Sequence, residues 1–95
     1  MAVKIIIKRK VPKGKEAELL PLLIELRSMA TAQAGYISGE TLRNVDDPQD
    51  YLVISTWQSV DNWKAWTANS QRAGIQDKID ALLGAETEYA VYLYG

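Results

Sequence analysis

Strand and helix patterns in the order β-α-β-β-α-β predict an α+β fold, with helices laid on one face of a four-stranded antiparallel sheet. Three observations carry this. Val3–Val11 alternates with period two, Val3, Ile5, Ile7, Arg9 and Val11 pointing one way and Lys4, Ile6, Lys8 and Lys10 the other. Leu19, Leu22, Leu23, Leu26 and Ala30 recur at three- and four-residue steps, the mark of one helix face. Two later segments are apolar on both faces when laid out as strands. A length of 95 residues suits one domain spanning 1–95.

The first strand ends at Pro12-Lys13-Gly14, a turn by composition. The helix that follows has Glu16 and Glu18 where its dipole favours negative charge, and Gly35 as a left-handed stop. Pro21 removes the bond to the Ala17 carbonyl, so either the helix bends near Ala17–Pro21 or its regular part begins near Leu20. Tyr36–Arg43 reads as the second strand, with Gly39 at a bulge. Asp46-Asp47-Pro48-Gln49-Asp50 is a turn. Tyr51–Trp57 is the third strand, with Leu52 and Ile54 on one face and Tyr51, Val53 and Trp57 on the other. Ser59 caps a short helix over Val60–Ala68, and Ser70 caps another that runs to Leu83, with Ile75, Ile79, Leu82 and Leu83 as its stripe and Gly84 as its stop. Glu86–Tyr94 is the fourth strand, Tyr89, Val91 and Leu93 opposing Ala90, Tyr92 and Tyr94. The arrangement is the ferredoxin-like sandwich, whose second sheet face is wet in a monomer. Here that face is apolar, and a lone domain of this size buries only about 60–65% of its unfolded surface. A two-fold homodimer through that face is the expectation.

Composition narrows the chemistry. The chain has no cysteine, so no thiolate and no disulfide, which suits a reducing compartment. It has no histidine, the commonest general base and metal ligand. The carboxylates Asp46, Asp47 and Asp50 straddle a proline and lack a calcium-loop pattern, so no metal is expected. No Gly-rich phosphate loop follows a strand, so no nucleotide or flavin has a local signature. A net charge of −1 argues against nucleic acid. The cluster Lys8, Arg9, Lys10, Lys13 and Lys15 reads as a solvated strand end, or else as a doorway for an anionic substrate. The N-terminal apolar run, three isoleucines between lysines, is too short for a signal peptide or a membrane span, and a cytoplasmic protein is the default.

Gly35-Tyr36, Gly39-Glu40-Thr41-Leu42-Arg43, Asp47-Pro48, the strand Tyr51–Trp57 and Trp66 nine residues later, with the turn Pro12–Lys15, together resemble the antibiotic-biosynthesis monooxygenase superfamily of dimeric α+β barrels. The resemblance covers nearly the whole chain. It implies that fold, and one of several chemistries that the superfamily hosts: cofactor-free oxygenation of aromatic polyketides, haem degradation, or processing of small carbohydrate-like signals. In the haem-degrading branch an axial histidine follows the pocket tryptophan. Trp66 matches that tryptophan, but Gln76 stands at the histidine position and Ile7 near the branch's strand-one asparagine. Haem degradation is therefore disfavoured.

The cofactor-free branch carries a tryptophan and an asparagine lining a flat pocket. Asn62 and Trp66, four residues apart on one helix face, are similar to that pair and are the candidate catalytic residues. The implied activity is oxidation of a small, flat, electron-rich aromatic of the hydroquinone or anthrone type by O2 without a cofactor. Such a reaction needs a water-poor slot, donors for a developing oxyanion and a proton acceptor. Trp63 and Trp66 are placed to give the slot, although Trp63, like Trp57, also reads as packing at the sheet–helix corner, and the Trp66 indole N–H and the Asn62 amide are donors. Ile7, Tyr51, Arg72 and Gly74 complete the expected substrate contacts, Arg72 and Arg43 being placed to orient an anionic or carbonyl-bearing group. Gly74 sits inside a helix for close packing on the sheet or for room beside Trp66. Glu40, Tyr36, Tyr51 and solvent stay open as proton acceptors. The alternative is a non-catalytic or differently catalytic small-molecule-binding dimer of the same fold, for which the absent base is the main argument.

Overall fold

A computed structural model describes all residues, Met1–Gly95. Its elements run β1 (Val3–Lys10), α1 (Glu16–Thr31), β2 (Tyr36–Arg43), β3 (Asp50–Trp57), α2 (Val60–Thr67), α3 (Ser70–Leu83) and β4 (Glu88–Leu93). The four strands form one antiparallel sheet in the order β2-β3-β1-β4. This is the predicted ferredoxin-like α+β sandwich.

The register sorts the side chains into two faces. Val3, Ile5, Ile7 and Arg9 stand opposite Trp57, Ser55, Val53 and Tyr51. All eight are buried under the helices. The core there has two parts. One gathers Val3, Ile5, Ile7, Ala30, Val53 and the three tryptophans; the other gathers Val11, Leu19, Tyr51, Ile75, Ile79 and Leu83. On the outer face Ile6 stands opposite Ile54 and Ala90, and Leu42 opposite Leu52. Ile6, Leu52, Ile54 and Ala90 are half-buried, while Leu42 and Tyr92 are exposed.

Several boundaries differ from the sequence reading, each for a local reason. Helix α1 runs through Pro21 without waiting for Leu20. Ala17 and Pro21 are both exposed, so water can satisfy the Ala17 carbonyl that proline leaves without its bond. Gly35 is left-handed, with φ of 84°, but it lies in the turn beyond the helix, which ends at Thr31 with Ala32 as its cap. The irregularity in β2 falls between Tyr36 and Ser38, whereas Gly39 pairs regularly with Ser55. Helix α3 is capped by Asn69, whose Oδ1 accepts from the Arg72 N–H at 3.0 Å, one residue before the expected Ser70. Ser59 caps α2 as read from the sequence, and Gly84 closes α3 with φ of 70°.

Candidate functional site

Between the sheet and α1 lies a cavity of about 420 Å³. Its floor is the inner sheet face, from Ile7 and Arg9 of β1 to Tyr51, Val53, Ser55 and Trp57 of β3. Its roof is the apolar side of α1, Leu19, Leu23 and Leu26. Leu20 and Ile24 of α1 and Thr41 and Arg43 of β2, all exposed, also border it, so it reaches the surface between α1 and β2. At its inner end stand Trp63, Trp66, Arg72 and Gln76, all buried, with Tyr89 of the edge strand β4, 40% exposed.

The tryptophan window makes the aromatic part of the wall. Trp57 and Trp66 lie stacked, with centroids 6.3 Å apart at 24°, and Trp63 meets Trp57 edge-on at 5.9 Å. Tyr36 packs edge-on against Trp57 at 5.4 Å. Trp57 donates its indole N–H to Ser55 Oγ over 2.8 Å, which fixes the ring on the floor. All three tryptophans are buried and all three border the cavity. The expected division, Trp57 for packing and Trp66 for the ligand, is therefore not a division of place.

Of the other residues singled out in the sequence, the structure gathers Ile7, Tyr51, Trp63, Trp66 and Arg72 at the cavity. Asn62 is not among its lining residues. Its side chain serves the corner: Ser59 Oγ accepts from the Asn62 backbone N–H at 3.1 Å and donates to Asn62 Oδ1 at 2.6 Å. A Cβ placed on Gly35 would stand only 2.3 Å from Asn62 Cγ, so Asn62 and Gly35 pack in direct contact. Gly74 is also elsewhere. It is exposed, a Cβ there would meet nothing within 4 Å, and it borders a shallow groove between α1 and α3. Neither close packing on the sheet nor room beside Trp66 accounts for it.

The polar end of the cavity holds groups that the sequence reading did not bring together. Arg9 and Arg72 are 5% and 8% exposed. The Arg72 guanidinium lies over the rings of Trp63, Trp66 and Tyr89 at 5.7, 5.8 and 5.4 Å, and its Nη2 donates to the Tyr89 hydroxyl at 2.8 Å. Arg9 Nη2 reaches Gln76 Oε1 at 3.5 Å. Gln76 in turn donates from Nε2 to Asp80 Oδ1 at 2.9 Å and to Thr87 Oγ1 at 2.8 Å. The Nε atoms of both arginines are buried without a partner. Burial pulls the Arg9 guanidinium below its usual range, partly offset by Tyr89 and Asp80. Burial pushes the Tyr89 phenol up, against the pull of Arg72 and Arg9. The signal that could have found Arg9 was its place in the β1 alternation, on the same face as Val3, Ile5 and Ile7. Grouping it with its lysine neighbours hid it.

Those neighbours do behave as a solvated strand end. Lys10 is exposed and pairs with Asp47 at 3.0 Å and Asp50 at 3.9 Å. Asn44 Oδ1 accepts from the N–H groups of Asp46 and Asp47, so the acidic stretch is a turn. Nowhere do three histidine, cysteine, aspartate or glutamate side chains gather as they would around a metal. No helix is long and apolar enough to cross a membrane.

The family model described as "Antibiotic biosynthesis monooxygenase" matches residues 2–78. The curated protein SchA of Streptomyces halstedii is 28% identical over 69 residues, which make up 73% of this chain and 18% of that protein. The chain thus matches less than a fifth of that relative's length. Among solved structures, a conserved protein from Methanosarcina mazei superposes with a TM-score of 0.92 at 18% identity, covering 100% of this chain and 94% of that one. SnoaB, a cofactor-independent oxygenase from Streptomyces nogalater, superposes with a TM-score of 0.86 at 18% identity, covering 99% of this chain and 93% of that one. At such identities the superpositions speak for the fold.

Proposed function

The chain belongs to the antibiotic biosynthesis monooxygenase family, and on that premise we propose that it oxidises a small, flat, electron-rich aromatic with O2, without a bound cofactor. The observation that carries this reading is the cavity: about 420 Å³, walled by three tryptophans and the apolar side of α1, with cationic and hydrogen-bonding groups at one end. An aromatic ring fits against the indoles, and its oxygen substituent meets donors. The likeness in fold to a cofactor-independent oxygenase supports the same direction.

In this reading the substrate supplies the electrons. An anthrone-type carbon acid or a phenol, once deprotonated, passes electrons to O2. One oxygen atom ends in the quinone product and the other in water. The protein holds the ring away from bulk water and stabilises the anion with fixed charges and dipoles. Arg72 and the Trp66 indole N–H are donors on the wall. Asn62 contributes from the corner behind Trp63 and Trp66 by fixing the start of α2. Glu16 is the one carboxylate on the lining, and it is exposed. Proton loss to solvent is therefore preferred to proton loss to a buried base. The same scarcity of bases is what favours the second reading, a small-molecule-binding protein that performs no oxidation.

We further propose that the outer sheet face seats an identical chain, since Leu42 and Tyr92 stand exposed there beside half-buried Ile6, Leu52 and Ile54. Haem degradation is disfavoured: the chain has no histidine, and Gln76 is held by Arg9, Asp80 and Thr87. Oxygen consumption by the purified protein with anthrones and hydroquinones, in buffer stripped of metals, tests the oxygenase. Uptake proportional to protein supports it, and binding without uptake supports the second reading.

A further inference from the structure

We infer that the inner end of the cavity is an oxyanion site, in which Arg9 and Arg72 receive the ionised oxygen of a flat aromatic ligand. The inference deepens the oxygenase reading by naming the charge state of its substrate, and it rests on that reading only for what happens after binding.

The cavity holds unpaired positive charge. Two guanidinium groups, both more than nine-tenths buried, face one cavity. Buried charges in proteins are normally paired, because a low dielectric penalises an unpaired one. Neither group pairs with a carboxylate; the chain's ion pairs join Lys10 to Asp47 and Asp50 instead. Asp80 acts on Arg9 only at longer range, and its Oδ1 already accepts from Gln76 and from the Thr87 N–H and hydroxyl. Both Nε–H groups lack an acceptor. The rings of Trp63, Trp66 and Tyr89 orient Arg72 and soften its burial, but they provide no acceptor for Nε. Arg9 has a single long contact to Gln76.

An anion in the cavity would relieve the unpaired charge of both groups, though not the Nε–H groups, which are sealed from it. A carboxylate or a phenolate would accept charge-assisted hydrogen bonds from the guanidiniums and lessen the repulsion between them. Its ring would extend along the tryptophans towards α1. The two chemical sources share the negatively charged oxygen on a flat ring. For a phenol the same field favours loss of the proton to water, and it would explain why the lining needs no buried base.

The test is isothermal titration calorimetry, without oxygen, of the full chain with 2-naphthoate, 2-naphthol and the neutral isostere 2-naphthamide. Naphthoate is expected to bind at least about tenfold more tightly than naphthamide. Arg9→Gln and Arg72→Gln should each remove about tenfold of naphthoate affinity while leaving naphthamide within about twofold. Lys10→Gln, a surface cation outside the cavity, should change neither. The absorbance of bound 2-naphthol separates the two sources. A naphtholate spectrum at neutral pH assigns the site to phenolates; an un-ionised spectrum with strong naphthoate binding assigns it to carboxylates. Circular dichroism establishes that the variants fold. Should either not fold, the naphthoate-to-naphthamide ratio in the unsubstituted chain decides alone. Equal affinities for that pair, or no heat with any of the three, would overturn the inference. Because no turnover is involved, an anion preference without oxygen consumption strikes the oxygenase reading and not this one.

Discussion

Arg9 shows how a residue can be placed correctly by sequence and still be misread. The β1 alternation put it on the inner face with Val3, Ile5 and Ile7, yet its flanking lysines suggested a solvated charge run. Burial without a carboxylate makes it a cost to the fold. Arg9→Met keeps the volume and removes the charge, so it should leave stability unchanged or raise it by about 1–4 kcal/mol in urea unfolding. A large loss would mean that Arg9 is a structural cation. Ser55 presents the reverse case. Its Oγ accepts the Trp57 indole N–H, and Ser55→Ala should cost about 1–3 kcal/mol by leaving that donor buried and unpaired. Tyr89 gives the pH dependence. Burial raises its phenol above the unfolded value, so the folded state holds the proton longer. The corresponding stability is whole below the unfolded tyrosine pKa and is lost as alkaline pH rises through the folded one. Thermal melting across that window should show the decline, and Tyr89→Phe should flatten it. Tyr89 itself is visible in the sequence only as a strand residue sharing a face with Val91 and Leu93; its bond to Arg72 joins positions seventeen apart in the chain, which no local pattern reports.

At the level of elements, periodicity did most of the work. The alternation of β1 and β3, the leucine spacing of α1 and the Ser59 cap all fell where the residues placed them, because each depends on near neighbours. What was not legible depends on meetings between elements. Sequence position separates Trp57 on a strand from Trp66 on a helix, but α2 folds back so that Trp63 and Trp66 join Trp57 on one wall. Trp66→Ala should therefore cost about as much stability as Trp57→Ala, about 3–5 kcal/mol each, rather than clearly less. The two glycines near these helices separate cleanly. Gly35 combines a left-handed φ of 84° with contact against Asn62, and Gly35→Ala should destabilise by about 1–2 kcal/mol from backbone strain plus about 1–3 kcal/mol from overlap. Gly74 is helical, exposed and unobstructed. Gly74→Ala should stabilise by about 1 kcal/mol. Denaturant midpoints of the two variants should move in opposite directions. A loss of stability in Gly74→Ala would show that its groove between α1 and α3 is occupied in solution.

For the whole molecule, the order of elements pointed to the ferredoxin-like sandwich, and the family resemblance carried by Gly35–Trp66 pointed to the same fold; the strand order β2-β3-β1-β4 comes from the structure. That resemblance and its spacing from Trp66 point Asn62 to the site, whereas its side chain is turned to Ser59 and Gly35. Spacing on a helix fixes a face and not which neighbour the face meets. The outer sheet face predicts assembly: light scattering at micromolar concentration should return twice the chain mass, and Tyr92→Lys should shift it towards one chain. A monomer in the unsubstituted protein would contradict the proposed interface. The central claim is oxidation by O2 in a cavity that needs nothing but the chain itself. The most direct measurement is oxygen uptake with an anthrone as substrate, using protein freed of metals, flavin and haem. The account predicts uptake above the uncatalysed background, in proportion to protein, with one O2 consumed per quinone formed. No uptake above that background, or uptake that begins only when a metal, flavin or haem is added, would contradict it.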